Sequence, residues 1–138
     1  MGKKSKRKGQ NPQISFAKEK LKFSFEFYDT DNDEYCLSTW DKEQTGKALE
    51  CLKDISTKSY DDLSRGRKTY HFGEVAWEKT IKKRGFPDAR ANNLPPFHFA
   101  LVGVNGRARV YGAFSTGIFY IIWFDLEHLI WPTPLRGT

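Results

Sequence analysis

Residues 96–131 read PFHFALVGVNGRARVYGAFSTGIFYIIWFDLEHLIW and contain three apolar runs separated by two short turn signals. The runs predict three consecutive antiparallel strands, over residues 97–104, 107–114 and 118–124. Asn105-Gly106 lies between the first two runs, and Asn-Gly between apolar runs is the strongest short-range signal for a β-hairpin. Residues 115–117 form the second turn. We expect the rest of the chain to pack against this three-stranded meander.

The two-residue turn predicts the pairing of the first hairpin, for example Ala100 opposite Tyr111. One face of the hairpin then carries phenylalanine and aliphatic side chains and belongs to the core. The other, non-core face carries polar side chains that suit an anion site, namely His98, Arg107, Arg109 and Tyr111. A solvated face with ordinary cross-strand pairs has the same composition, so both interpretations stand.

The length of the second turn determines which side chains of the third strand join this polar face. A two-residue loop at Thr116-Gly117 adds Tyr120, Ile122, Phe124 and His128. A three-residue loop, with Gly117 in the left-handed conformation, instead adds Trp123, Asp125 and Glu127. Both loops fit the sequence, and the choice stays open.

The N-terminal half predicts one strand and two helices. Residues 21–28 alternate in polarity, which is typical of a half-buried strand with Phe23, Phe25 and Phe27 on one face. Ser38 or Thr39 begins a helix that runs to about Ile55, and a short helix follows near residues 59–63. We therefore predict one α+β domain over residues 14–138, with the N-terminal strand and helices packed on the C-terminal three-stranded antiparallel meander.

The net charge of +6 is concentrated at the N-terminus. Residues 1–13 contain five basic residues and no acid, whereas the remaining chain has 18 basic and 17 acidic residues. This basic tail is expected to be disordered and either solubilises the protein or contacts phosphates. Since neither a secretory signal nor a run of about 20 apolar residues is present, we expect a soluble cytoplasmic protein without membrane contact.

Residues 65–90 interleave basic and aromatic side chains and include the run Lys82, Lys83 and Arg84. Such a pattern suits nucleic-acid binding, and a solvated surface around core aromatics looks similar. No metal or cofactor site is expected, because the three histidines are scattered and the acidic run at residues 29–34 has Glu34 where an EF-hand requires glycine and is followed by Trp40 where it requires glutamate. The two cysteines, Cys36 and Cys51, are expected to be reduced.

One strand, then helices, then three antiparallel strands resembles the RelE/ParE superfamily of toxin-like proteins, many of them mRNA endonucleases. The local match is the pattern RxRVYG…FYIIWFDLEH over residues 107–128. The resemblance implies that Arg109 faces a phosphate, that His128 follows the last core strand, and that Trp131 stacks on a base. It also implies RNA or the ribosome as the target and an antitoxin-like protein as a partner.

The corresponding activity is metal-free RNA cleavage. A base takes the proton of the ribose 2′-hydroxyl, and an acid protonates the 5′-oxygen leaving group. Arg109 and Arg107 would stabilise the transition state, His128 would be acid or base, and Glu127 or His98 the second group. RNA contacts are expected from Arg107, Tyr111, Lys82, Lys83, Arg84 and Trp131. Two other functions compete: a non-catalytic nucleic-acid-binding module, and an interaction domain that docks a partner on its sheet.

Overall fold

The computed structural model describes residues 16–132, which form a five-stranded mixed sheet with helices. In chain order the strands are β1 (Lys22–Ser24), β2 (Gly73–Glu74), β3 (Pro96–Ala100), β4 (Arg109–Ser115) and β5 (Ile118–Asp125). Their order in the sheet is β1-β5-β4-β3-β2. β1 runs parallel to β5, and all other neighbours are antiparallel. The fold is α+β, as predicted.

The helices lie between β1 and β2, where the sequence places them. They are α1 (Lys42–Ile55), α2 (Tyr60–Arg65) and α3 (Arg67–Tyr70), and 3-10 turns occur at Leu37–Thr39, Trp77–Lys79 and Ala91–Asn93. The N-cap of α1 is Asp41, and its carboxylate and the Gln44 side chain form a capping box. The predicted caps Ser38 and Thr39 belong to the preceding 3-10 turn instead.

The first hairpin is shifted from the predicted register. Ala100 pairs with Arg109 and His98 pairs with Tyr111, so the prediction that Ala100 faces Tyr111 is wrong. The shift is two residues, and an even shift leaves every side chain on its face because alternation in a strand has a period of two. The division of this hairpin into two faces is therefore as predicted.

The register differs because Asn105 builds a longer loop than an Asn-Gly turn. Its Oδ1 accepts hydrogen bonds from the backbone N–H groups of Arg107 and Ala108, both at 2.8 Å. Its Nδ2 donates to the carbonyl oxygen of Leu126 at 3.0 Å. These bonds make an Asx turn and attach the loop to the segment after β5, so residues 101–108 connect the two strands.

The second turn is the two-residue alternative. Thr116 and Gly117 both have positive φ, 49° and 84°, as a type I′ turn requires. Ser115 and Ile118 pair at its base. Glycine accepts this conformation easily, whereas threonine does not.

A β-bulge lies in the middle of β5. Tyr111 is opposite Trp123, but the next residue, Gly112, is opposite Ile121, so Ile122 is one additional residue. Beyond the bulge the alternation of faces is shifted by one position. Trp123 and Asp125 therefore lie on the face of Tyr111 and Arg109, as the three-residue loop predicts. Tyr120, before the bulge, also lies on this face, as the two-residue loop predicts, so each alternative is correct for one half of the strand.

Both faces of the sheet are buried. The first core lies between the sheet and the helices and includes Ala48, Leu52, Ile55, Leu63, Phe97, Phe99, Val110, Phe114, Phe119 and Phe124. The second core covers the opposite face and comprises Tyr35, Val75, Phe86, Ala91, Tyr111, Ala113, Ile122, Trp123 and Ile130. The prediction of a non-core face is wrong, because the segment between β2 and β3 folds over it.

The N-terminal strand is shorter than predicted. It ends at Ser24, whose hydroxyl accepts a hydrogen bond from the backbone N–H of Glu26 at 3.1 Å. Phe23 packs on the first core, Phe25 is 56% exposed, and Phe27 stacks on Tyr120 beside the second core. The prediction that these three phenylalanines share a face is therefore wrong.

The basic tail of residues 1–13 lies outside the described residues. Among the helices of residues 16–132, none combines the length and apolar composition that a membrane crossing needs. Cys36 and Cys51 are both free thiols.

Candidate functional site

Two neighbouring cross-strand rows carry the candidate site. In the first, His98 lies between Gly73 on β2 and Tyr111 on β4, and the rings of His98 and Tyr111 stack with centroids 5.5 Å apart. In the second, Arg109 lies opposite Asp125 on β5. Both rows are on the face of the second core, so the sheet itself positions an imidazole, a phenol and a guanidinium together.

The turn after β5 brings the fourth group, the imidazole of His128. Asp125 accepts hydrogen bonds from the backbone N–H groups of Leu129 at 3.0 Å and Ile130 at 2.7 Å, and these bonds close a turn around His128. His128 takes a left-handed backbone conformation with φ of 62°. Three residues further on, Trp131 lies with its ring centroid 5.1 Å from that of His98.

Four side chains at this place share an unusual feature. Each has a buried polar atom without a hydrogen-bond partner among residues 16–132, namely Nδ1 of His98, Nε of Arg109, the hydroxyl of Tyr111 and Nδ1 of His128. We call these four residues the His–Arg cluster. Buried polar groups are nearly always hydrogen-bonded, and an exception needs an explanation such as a catalytic role or a bound ion. All four atoms can donate to an anion when protonated.

Burial and positive neighbours determine the protonation of the His–Arg cluster. Burial, with the nearby charges of Arg109 and His128, lowers the pKa of His98 to about 4. His98 is therefore neutral at pH 7. Burial also lowers the pKa of Arg109, although a guanidinium stays charged in proteins. Its Nη1 donates to the carbonyl oxygens of Ala108 at 3.0 Å and Gly106 at 3.5 Å.

His71 is a neighbour of the His–Arg cluster that the sequence did not indicate. It is exposed, ends α3 in a left-handed conformation with φ of 50°, and is separated from β2 by Phe72 alone. Burial, together with the charges of Arg109 and His128, lowers its pKa. Non-glycine residues with positive φ occur often at functional sites. No local pattern around His71 predicts this placement, since only the pairing of Gly73 with His98 brings it there.

Of the predicted site residues, His98, Arg109, Tyr111, His128 and Trp131 come together. Glu127 and Arg107 pair with each other instead, at 2.7 Å between Oε1 and Nε, and both side chains are largely exposed. Arg107 lies in the loop before β4 rather than in the strand.

The predicted basic run is mostly occupied by internal contacts. The Lys82 ammonium lies 5.1 Å from the ring centroid of Tyr35 and 5.2 Å from that of Trp123. Lys83 donates to the carbonyl oxygens of Glu78 and Thr80, both at 3.0 Å. Arg84 is exposed.

The aromatic residues of the same segment are not presented as base-stacking surfaces. Phe72 and Phe86 are buried, in the first and second cores respectively. Trp77 and Tyr70 are partly buried and pack against these cores. The interleaved pattern of residues 65–90 therefore reflects core packing.

The residues from 16 to 132 contain no group of three or more His, Cys, Asp or Glu side chains arranged to hold a metal ion. A scan of protein-family models finds no matching family, and searches of curated proteins and of solved structures find no match to this chain.

Proposed function

We propose that the protein is an endoribonuclease whose active site is the His–Arg cluster. The observation that carries this proposal is the grouping of two imidazoles, a guanidinium and a phenol, each with a buried polar atom that has no partner in residues 16–132. RNA cleavage without a metal needs a base, an acid and a cation at one phosphate. The His–Arg cluster contains side chains for all three roles.

The protonation of His98 assigns the roles. Because the pKa of His98 is about 4, its imidazole is neutral at pH 7 and accepts the proton of the ribose 2′-hydroxyl. The 2′-oxygen then attacks the adjacent phosphorus. His128 donates a proton to the departing 5′-oxygen. Arg109 stabilises the charge on the phosphate oxygens in the transition state. The products are a 2′,3′-cyclic phosphate and a 5′-hydroxyl end.

The surroundings of the His–Arg cluster suit a single-stranded substrate. Trp131 is half-buried beside His98 and is available to stack on an unpaired base. Gly73 lies opposite His98 on β2, and a Cβ at this glycine would meet no atom within 4 Å. There is therefore open space beside His98 on the β2 side. The RelE/ParE resemblance adds RNA on the ribosome as the target, an antitoxin-like protein as the partner, and the cytoplasm as the location.

The test uses the purified protein and a 5′-labelled single-stranded RNA, with ribosomes in a magnesium buffer and without ribosomes in the presence of a chelator. We expect cleavage that leaves 2′,3′-cyclic phosphate ends. His128→Ala and Arg109→Ala should each lower the rate by roughly 100-fold or more. Arg107→Ala removes an arginine outside the His–Arg cluster and is the matched control. Circular dichroism verifies that each variant is folded.

Expression in bacteria provides a second measurement. The wild-type chain should arrest growth, whereas His128→Ala should not. Harmless expression of the wild-type chain, together with RNA that stays intact both with and without ribosomes, would rule out the endoribonuclease. Cleavage that is unaffected by either substitution would place the active site elsewhere.

A further inference from the structure

We propose that Asp125 is the positioning residue of His128, a role that rests on the proposed ribonuclease function. Asp125 is 1% exposed, and both of its carboxylate oxygens are used. Oδ1 accepts the hydrogen bond from Leu129, and Oδ2 accepts the one from Ile130. These two hydrogen bonds attach the backbone of residues 129 and 130, directly after His128, to the end of β5.

The backbone of His128 needs such support. Its φ of 62° is in the left-handed region, which is uncommon for residues other than glycine, although histidine adopts it more often than most. Strained residues persist where the surrounding structure holds them, and they are common at active sites. A relaxed backbone at this position would turn the imidazole away from Arg109 and His98. Asp125 thus fixes the direction of the proposed acid without touching the substrate.

A carboxylate is the side chain that this position requires. Two backbone N–H groups converge on it, and the isosteric asparagine has only one acceptor oxygen. Its amide nitrogen would face one of the N–H groups, and a donor would oppose a donor. Burial raises the pKa of Asp125, while the two N–H groups and the charges of His128 and Arg109 favour the ionised form. The two N–H groups thus give each of these buried oxygens the hydrogen-bond partner that a buried acceptor needs.

The first test compares Asp125→Asn with Asp29→Asn. Asp29 accepts a hydrogen bond from the indole Nε1 of Trp123 at 2.8 Å, so its substitution also removes a carboxylate bonded near β5, but not one bonded around His128. We expect Asp125→Asn to lower kcat roughly 10- to 100-fold with KM within about threefold. Asp29→Asn should keep the wild-type kcat. A folded Asp125→Asn protein with wild-type kcat would overturn the proposal.

The second test needs neither a variant nor RNA cleavage. In the wild-type protein, the amide signals of Leu129 and Ile130 should move with pH as the Asp125 carboxyl takes up a proton. The HN–Hα coupling of His128 should leave its positive-φ value over the same range. The amide of Phe86, which donates to the amide oxygen of Asn92 at 2.9 Å, is the internal control.

If the His128 coupling stays constant while the two amides titrate, Asp125 does not position His128. This result decides the question even if Asp125→Asn fails to fold. Absence of RNA cleavage by the wild-type chain would refute the proposed function alone, because the coupling of His128 reports on the backbone and not on the reaction.

Discussion

Arg109 and Asp125 lie opposite each other on β4 and β5, and both are buried, yet within residues 16–132 they do not form an ion pair. The backbone satisfies each of them separately. Arg109 donates to two carbonyl oxygens, and Asp125 accepts from two N–H groups. The guanidinium Nε therefore has no hydrogen-bond partner among residues 16–132 and is left for another partner.

The low pKa of His98 predicts that the protein loses stability as the pH falls from about 6.5 to about 4. His98 has a pKa of about 4 in the folded protein against its ordinary value of 6.5, so the unfolded chain binds more protons between these values. The loss should reach about 3 kcal/mol for the whole transition. Urea unfolding at a series of pH values measures it.

His98→Phe is the control for this prediction, since phenylalanine keeps a ring beside Tyr111 but cannot take up a proton. Its stability should fall less over the same range. Asp125 has the opposite dependence, because burial raises its pKa, and it contributes equally to both proteins. Parallel stability curves for the wild-type and His98→Phe proteins would show that His98 is not responsible.

Glu127 is expected to be unnecessary for RNA cleavage. Its carboxylate is bonded to Arg107 at the surface, and exposed ion pairs contribute at most about 1 kcal/mol to stability. Glu127→Gln should therefore cleave RNA within about twofold of the wild-type rate, whereas His98→Gln should lose roughly 100-fold or more. A severe loss in Glu127→Gln would restore this residue as the acid or base.

Replacing Lys82 should lower the stability of the protein, whereas replacing Arg84 should not. Lys82 covers the rings of Tyr35 and Trp123, and a cation over aromatic rings contributes about 0.5–2 kcal/mol. Lys82→Gln should lower the free energy of unfolding by about that amount. Arg84→Gln, at an exposed position two residues away, should change it by less than about 0.5 kcal/mol. Equal stabilities in thermal and urea unfolding would contradict this difference.

Gly112 should not tolerate a side chain. A Cβ there would collide with the carbonyl oxygen of Tyr120 and lie 2.6 Å from a ring carbon of Phe119. Gly112→Ala is therefore expected to destabilise the protein by about 3 kcal/mol or more, or to prevent folding. Gly46→Ala in α1 is the matched control, because its Cβ would meet nothing within 4 Å. It should stabilise the helix by about 0.5–1 kcal/mol.

Alternation explains why much of this site could be predicted from the sequence. His98, Arg109 and Tyr111 keep a common face under any even shift of the hairpin, so the wrong register did not separate them. The error arose at Asn105, whose side chain bonds to its own loop and to Leu126. The residue pair Asn-Gly cannot reveal that second bond.

Long-range contacts account for what the sequence did not predict. The extra residue Ile122 depends on pairing with β4, and no composition signal marks it. His71 reaches the His–Arg cluster only because Gly73 pairs with His98. Likewise, the polar face is a core because Val75, Phe86 and Ala91 pack on it. The sequence did not predict this packing, since the local pattern of their segment resembles a basic surface.

The bulge in β5 has a consequence for how this protein tolerates length changes. The strand consists of two halves that are out of phase, joined at Ile122. Removing this one residue would join the two halves into one regular strand, because the flanking residues Ile121 and Trp123 already oppose neighbouring residues of β4. Trp123 and Asp125 would keep their partners Tyr111 and Arg109 and would stay on the same face. Deletion of Ile122 should therefore preserve the site and remove only the contacts of this side chain in the second core, whereas deletion of Phe124, which has its own partner on β4, would move Asp125 to the opposite face.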